Sequence, residues 1–236
     1  MANPFEQRAA EYDAWFDAHP ELYESELLAL QALLPERPGR WVEVGVGTGR
    51  FASRLGIGLG IEPAEAMALF ARSRGVEVLT GAAEDLPLLD RSVDAVFLIT
   101  VVGFLESVER AFSEVHRVLR PGGHLVLAFI PRESPLGRIY SVDGGNDAFF
   151  ACAHLRSVSE IESGIARAGL LIERELQTLT ELSPSRTERP RDGTERGSFV
   201  VLRAVKPIQA DSVLTGSAAP SSITPWKRNG ISSSST

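Results

Sequence analysis

The sequence predicts an α/β fold: a doubly wound, mostly parallel sheet with helices on both faces. Three observations point there. Short β-rich runs alternate with helical stretches of roughly ten residues or more. The run 93–99, Val-Asp-Ala-Val-Phe-Leu-Ile, is apolar almost throughout, as suits a strand covered on both sheet faces. The first β-rich run, 41–44, stops at a glycine cluster that opens a helix, and such sheets bind ligands at that kind of turn.

Taken in order, the first 35 residues read as helical. Tyr23, Leu27, Leu30 and Leu34 share one helix face, and Pro35 with Pro38-Gly39 ends the element. Strand 41–44 follows, then a helix beginning over 49–55, a short strand at 59–61, and a helix over 64–74 with Ala64, Met67, Ala68 and Ala71 on one side. Strands at 76–79 and 93–99 come next. The helix over 107–119 lines up Val108, Ala111, Phe112, Val115, Val118 and Leu119, and Pro121-Gly122-Gly123 stops it as a turn. Residues 125–130 form another buried strand. Ser157 and Glu160 make a capping box ahead of Ile161, Ile165 and Ala168, with Gly169 at the helix end. The last two strands, 170–172 and 198–205, have only a polar stretch between them, so they are expected to pair antiparallel at an edge. No internal repeat is visible. Residues 208–236 are Ser-rich and aperiodic and read as a disordered tail.

Composition narrows the function. The chain has 236 residues, 44% of them hydrophobic, enough for a sizeable core. Its single cysteine, Cys152, excludes a disulfide framework and a multi-cysteine metal site, and it reads as a buried spectator. No metal site is expected. The longest apolar runs, 95–99 and 125–131, are too short to span a bilayer, so no membrane association is expected. A polar N-terminus of mixed charge suggests no secretory leader and a cytoplasmic location. The net charge of −7 argues against a nucleic-acid partner. Of 24 basic residues only Lys206 and Lys227 are lysines; neither is expected in the core fold, and the arginines, spread beside acids, read as solvated surface.

The chemistry concentrates in Val42-Glu43-Val44-Gly45-Val46-Gly47-Thr48-Gly49-Arg50. Glycines there permit a tight turn and close approach of a ligand to the backbone, and free amides at the helix start favour acceptor groups. The spacing is G-x-G-x-G, not the G-x-G-x-x-G of dinucleotide loops. Glu43, two residues before the first glycine, suits a cationic ligand group better than a pyrophosphate. The second strand ends in Ile61-Glu62-Pro63, where a carboxylate can accept from both ribose hydroxyls, a contact shared with NAD sites. Gly81-Ala82-Ala83-Glu84-Asp85-Leu86-Pro87, after the third strand, offers a wall for an adenine ring.

With these blocks in place the chain resembles the class I S-adenosylmethionine-dependent methyltransferases, of the small stand-alone kind related to the ubiquinone and menaquinone biosynthesis C-methyltransferases. Four blocks match in order: 43–49, 60–63, 81–87, and Arg117-Val118-Leu119-Arg120-Pro121-Gly122-Gly123. The segment around Tyr12 resembles the N-terminal helix common in these enzymes. The resemblance covers roughly 5–206. It implies a seven-stranded Rossmann-like sheet with an antiparallel last strand. It implies one methyltransferase domain over 1–207, comprising a helical N-terminal cap over 1–38 and an acceptor-side insertion over 131–155.

The resemblance also implies roles. Glu43, Gly45 and Gly47 would line the methionine portion of S-adenosyl-L-methionine, Glu43 near its ammonium directly or through the loop. Glu62 would hold the ribose. Ala83 and Glu84 would meet the adenine, by backbone amide and side chain respectively. Ile99 and Thr100 would flank the sulfonium, and Tyr12 would help close the methionine end. The product would be S-adenosyl-L-homocysteine.

Transfer from a sulfonium is an in-line displacement by an already activated donor, so positioning can supply much of the acceleration. A base is required only for a protonated nucleophile. Residues 99–104 lack the Asn/Asp-Pro-Pro-aromatic motif of enzymes that methylate exocyclic amino groups, and Cys152 lacks the Pro-Cys context of cytosine C5 enzymes. Arsenite methylation needs several thiols. Many small family members carry a histidine where Gly103-Phe104 stand here, so no base is assigned there. The connection over 131–155 exceeds the usual span of about 2–6 residues. It supplies the candidate base or orienting groups Glu133, Tyr140 and His154, with Phe149-Phe150 suited to an apolar lid. The expected activity is methylation of a small-molecule N, O or C acceptor by a monomer or homodimer. A non-catalytic S-adenosylmethionine-binding protein and an NAD(P)-dependent oxidoreductase are the alternatives. The loop spacing and the absence of a Tyr-x-x-x-Lys pair disfavour the second.

Overall fold

The computed structural model describes residues 3–143, 149–181 and 185–208. Helices α1 (Pro4–Gln7), α2 (Ala9–Ala18) and α3 (Pro20–Gln31) precede strand β1 (Trp41–Val44). The chain continues through α4 (Arg50–Leu55), β2 (Leu59–Ile61), α5 (Glu65–Ser73), β3 (Glu77–Leu79) and β4 (Val93–Ile99). Then come α6 (Val108–Val118), β5 (Leu119–Phe129), α7 (Pro135–Asp143), α8 (Val158–Arg167), β6 (Leu171–Thr178), β7 (Arg191–Asp192) and β8 (Phe199–Val205). The strands form one sheet in the order β3-β2-β1-β4-β5-β8-β6-β7. The first five run parallel; β8 lies antiparallel between β5 and β6.

The alternation of side chains explains the unbroken apolar strands. Val96 and Leu98 of β4 join Leu125 and Leu127 of β5 under α6 and α8, with Phe112, Val115, Ile161 and Ile165. Ala95, Phe97 and Ile99 face the other way with Val126 and Ala128, against Leu27 and Leu30 of α3 and Phe51 of α4. Both sheet faces are covered, so every residue of β4 except Asp94 is buried. Ser157 and Glu160 form the expected reciprocal capping box on α8, and Gly169 (φ 79°) follows that helix.

The structure departs from the sequence reading in several places. The N-terminal helical stretch is three helices, because Pro20 begins α3 at its first turn and Arg8 and His19 interrupt the chain. Since α3 stops at Gln31, Leu33 rather than Leu34 is the fully buried residue beyond it. The sheet has eight strands instead of seven, because Arg191–Asp192 in the polar stretch pairs with β6 at the edge. The final long strands do pair antiparallel, but β8 is interior: Phe199, Val200, Val201 and Leu202 are all buried. Pro121-Gly122-Gly123 lies within β5 at a register shift, Val93 pairing with Leu119 and Ala95 with His124.

Lys206 does belong to the fold. Its Nζ donates to the carbonyls of His116 (2.6 Å) and Leu119 (2.8 Å), satisfying the end of α6. Cys152 is exposed, in the 3-10 turn Phe150–Cys152. The 131–155 insertion is not plain loop; it carries α7 and that turn. Apart from Ile208, the expected tail lies outside the described residues. No helix among the described residues is long and apolar enough to cross a membrane.

Candidate active site

The strand order reverses between β1 and β4, and the glycine loop sits at the carboxyl end of β1 beside that switch point. The amides of Gly45 (2.8 Å) and Val46 (3.1 Å) donate to the Ile61 carbonyl, which folds the loop across β2. Gly45 (φ 71°) and Gly47 (φ 53°) adopt left-handed backbone, and a Cβ on Gly45 would collide with the Val101 side chain. Glu62, at the end of β2, accepts from Gly47 N (2.8 Å) through one carboxylate oxygen and from Ala64 N (3.0 Å) through the other. Burial, more than any neighbour, raises its pKa; these two amides pull the other way.

The N-terminal helices close over this loop through an ion network. Arg50, which opens α4, donates from Nε (3.0 Å) and Nη2 (2.8 Å) to the two oxygens of Asp13, and Arg74 reaches Asp13 at 2.8 Å. Arg50 also pairs with Asp17 at 2.6 Å. Burial alone would lift the Asp13 carboxyl, but the hydrogen bonds from Arg50 and Arg74 outweigh it and hold the pKa at about 2. Arg50 is therefore a clamp between α2 and α4, and not the solvated surface group expected for the arginines.

That clamp sets α2 beside the sheet and puts Tyr12 at the junction of two cavities. The first, of about 610 Å³, is lined by Gly45, Gly47, Glu62, Ala83, Glu84, Ile99 and Thr100 among others. The second, of about 300 Å³, lies between the N-terminal helices and the insertion and is lined by Phe16, Glu26, Phe51, Leu136 and Tyr140 among others. Tyr12, Thr100, Phe149 and Phe150 line both. Thr100 has φ 55°, a left-handed conformation unusual for a β-branched residue, held where β4 ends and the cavities meet. Tyr12 packs edge-on against Phe16 (5.5 Å) and Phe149 (5.4 Å). Burial raises its hydroxyl pKa, followed by the nearby carboxyls of Glu26, Glu43 and Glu62.

The remaining candidates separate cleanly. Glu43 is only 2% exposed and does not line the first cavity; the nearby Ala52 amide of α4 favours its ionised form. Burial, then the charge of Glu62, pushes its pKa well up, and its Oε2 has no hydrogen-bond partner among the described residues. The Glu84 carboxylate is engaged by the amides of Glu106 (2.9 Å) and Ser107 (3.3 Å) ahead of α6. Of the three acceptor-side groups, only Tyr140 reaches a described cavity, stacked on Phe150 at 3.9 Å. Glu133 is exposed and accepts from the first amide of α8, Val158 N, at 3.0 Å. His154 is exposed and lines neither cavity; its backbone amide donates to Gly103 at 2.6 Å. Sequence reasoning missed Glu26, a carboxyl in the second cavity that burial lifts to about 8. An acid on the apolar face of α3, one residue before buried Leu27, was the available signal.

A switch-point glycine loop followed by an acid ending the next strand defines a Rossmann-like nucleotide-cofactor enzyme. The comparisons sharpen this. Residues 42–127 match a family model described as a methyltransferase domain. A crystal structure of an S-adenosylmethionine-dependent methyltransferase from Thermotoga maritima, described as a possible histamine N-methyltransferase, is 43% identical with TM-score 0.82, covering 86% of this chain and 97% of that one. An uncharacterised protein of Methanocaldococcus jannaschii is 34% identical over 86% of this chain and 99% of its own length. The malonyl-[acyl-carrier protein] O-methyltransferase of Methylococcus capsulatus is 37% identical over 52% of this chain and 49% of that enzyme. The chain belongs to the S-adenosylmethionine-dependent methyltransferases.

Proposed function

We propose that the first cavity holds S-adenosyl-L-methionine and the second a small-molecule methyl acceptor. The single observation that carries this reading is the shared wall of Tyr12, Thr100, Phe149 and Phe150. A donor site and an acceptor site must meet at the reacting atom, and these two cavities meet at the end of β4.

The residues fit the cofactor. The first cavity is within the size range of small-molecule sites. Gly47 and Glu62 line it, and the Glu62 oxygens, each engaged by one amide, can accept a further donor. Gly45 and Gly47 admit a ligand against the loop backbone. Ala83 and Glu84 border the adenine end, with Glu84 acting mainly by fixing the 106–107 backbone. Glu43 acts through the loop it backs and not by direct contact. Ile99 and Thr100 flank the transfer point, and Tyr12 closes it.

When bound, S-adenosyl-L-methionine supplies a methyl group already activated on a sulfonium. The chain's own part is positioning: Tyr12, Phe149 and Phe150 exclude water, and Thr100 sets the edge of the passage between the cavities. Calorimetric titration tests the donor assignment. Micromolar binding of S-adenosyl-L-methionine or S-adenosyl-L-homocysteine, with no response to NAD, is expected; the reverse overturns it. Methyl transfer from labelled donor to amines, phenols, quinones and carboxylates tests the acceptor assignment.

A further inference from the structure

We propose that the second cavity selects a small aromatic amine, bound as its ammonium ion against the carboxyl of Glu26. The inference rests on the reading of that cavity as the acceptor site.

Three observations carry it. The chamber is an aromatic box: Trp15, Phe16, Phe51, Tyr140, Phe149 and Phe150 line its 300 Å³. Such walls suit a flat ring, and their faces attract a cation. Glu26 is 7% exposed, lines this chamber, and makes no side-chain hydrogen bond or ion pair among the described residues. A buried carboxyl without a partner costs stability, and burial is the sole cause of its raised pKa. An ammonium group brought to it supplies the missing partner, favours its ionised form, and sends one proton to solvent.

The charges around the chamber agree. Its titratable lining residues are Arg8, Glu11, Tyr12, Glu26, Tyr140 and Glu181. Three are carboxyls and one is a guanidinium, and that guanidinium is paired with Glu11 and lies over the Phe149 ring at 5.5 Å. A carboxylate ligand would meet repulsion and no free cation among these lining residues. A neutral hydroxyl could share a hydrogen bond with the protonated carboxyl but would bring no charge to favour its ionised form, and so would release no proton.

Three probes of one shape test this on the full chain by calorimetry near neutral pH: 2-phenylethylamine, 2-phenylethanol and 3-phenylpropionate. The amine is expected to bind at least tenfold tighter than either other probe, with about one proton released per amine bound. Glu26→Gln, a near-isosteric change, is expected to erase both the preference and the proton release while still melting cooperatively, no lower than the natural chain, and keeping its affinity for S-adenosyl-L-homocysteine. Equal or tighter binding of the alcohol or the carboxylate overturns the proposal, as does no binding of the amine or an unchanged preference in Glu26→Gln. Separate titration with S-adenosyl-L-homocysteine tells the two failures apart. If it binds and the amine does not, only this inference falls. If the amine binds and it does not, the donor assignment falls instead.

Discussion

The two cavities that meet at Thr100 are built in different ways. The larger takes its walls from contiguous pieces of chain: the loop after β1, the end of β2, residues 81–85 and the end of β4. Gly45, Gly47, Gly81, Ala82 and Ala83 line it, and Glu62 is fixed by the amides of Gly47 and Ala64. The smaller draws single side chains from α2, α3, α4, the insertion and the segment after β6. Its character comes from what happens to converge there. The difference teaches where specificity can vary: backbone loops preserve one ligand, whereas a box of side chains can be repainted residue by residue.

Glu62→Ala should break the donor side most. Losing a carboxylate that accepts ligand hydroxyls and braces Gly47 is expected to weaken S-adenosyl-L-homocysteine binding about 100-fold, taking charged hydrogen bonds at about 1.5–3 kcal/mol each. Calorimetry checks it, and unchanged affinity removes Glu62 from the site. Amine binding in the chamber should move little; equal loss in both would mean the two regions are not separable.

Next in size is the clamp that joins them. The Asp13 carboxyl titrates near 2 in the fold against 3.8 unfolded. A lowered folded pKa adds stability above the unfolded value, and that stability is lost as pH falls from about 4 toward 2. Asp13→Asn should cost about 1–2 kcal/mol at neutral pH and should flatten the acid limb of the melting profile over that window. Thermal melts at stepped pH read both; an unchanged acid limb means the network does not hold α2.

Phe150→Ala should sharpen the contrast further. Removing its stacked contact with Tyr140 at 3.9 Å should weaken 2-phenylethylamine about tenfold, since an aromatic pair adds about 0.5–1.5 kcal/mol beyond area. Because Phe150 also borders the donor cavity, a comparable loss of S-adenosyl-L-homocysteine affinity would count against separate roles.

The smallest expected effect is on stability through Glu26. Its folded pKa, raised to about 8 from 4.5, means stability is greatest below 4.5 and declines as pH rises through about 8. Glu26→Gln should therefore melt a few degrees higher than the natural chain in alkaline buffer, with the gap closing below 4.5. A gap independent of pH would mean that Glu26 is not titrating alone.

The sheet core was readable because its signals are local. Val93–Ile99 is apolar at consecutive positions only if both faces are covered, and Ser157 with Glu160 caps a helix within four residues. The glycine turn was readable for the same reason: Gly45, Gly47 and Glu62 lie within one strand-helix-strand unit. The strand at 191–192 was hidden because two residues carry no periodicity, and only pairing with β6 makes them a strand. Glu133 and His154 looked alike as insertion residues, yet Glu133 turns to the start of α8 and His154 is exposed, which depends on how the two ends of the insertion meet, Arg132 N donating to Arg156 O at 2.9 Å.

By itself, then, the sequence determined the doubly wound order of elements, the glycine turn and the acid that serves it. Periodicity, capping and turn chemistry act over a few residues and leave their mark in composition. Tertiary structure alone decided that Arg50 clamps Asp13, that Tyr12 and Phe149 stand between two cavities, and that Glu26 sits buried with no partner among the described residues. Those are contacts between residues far apart in the chain, and burial, the cause of the carboxyl's altered chemistry, exists only once distant helices have closed around it.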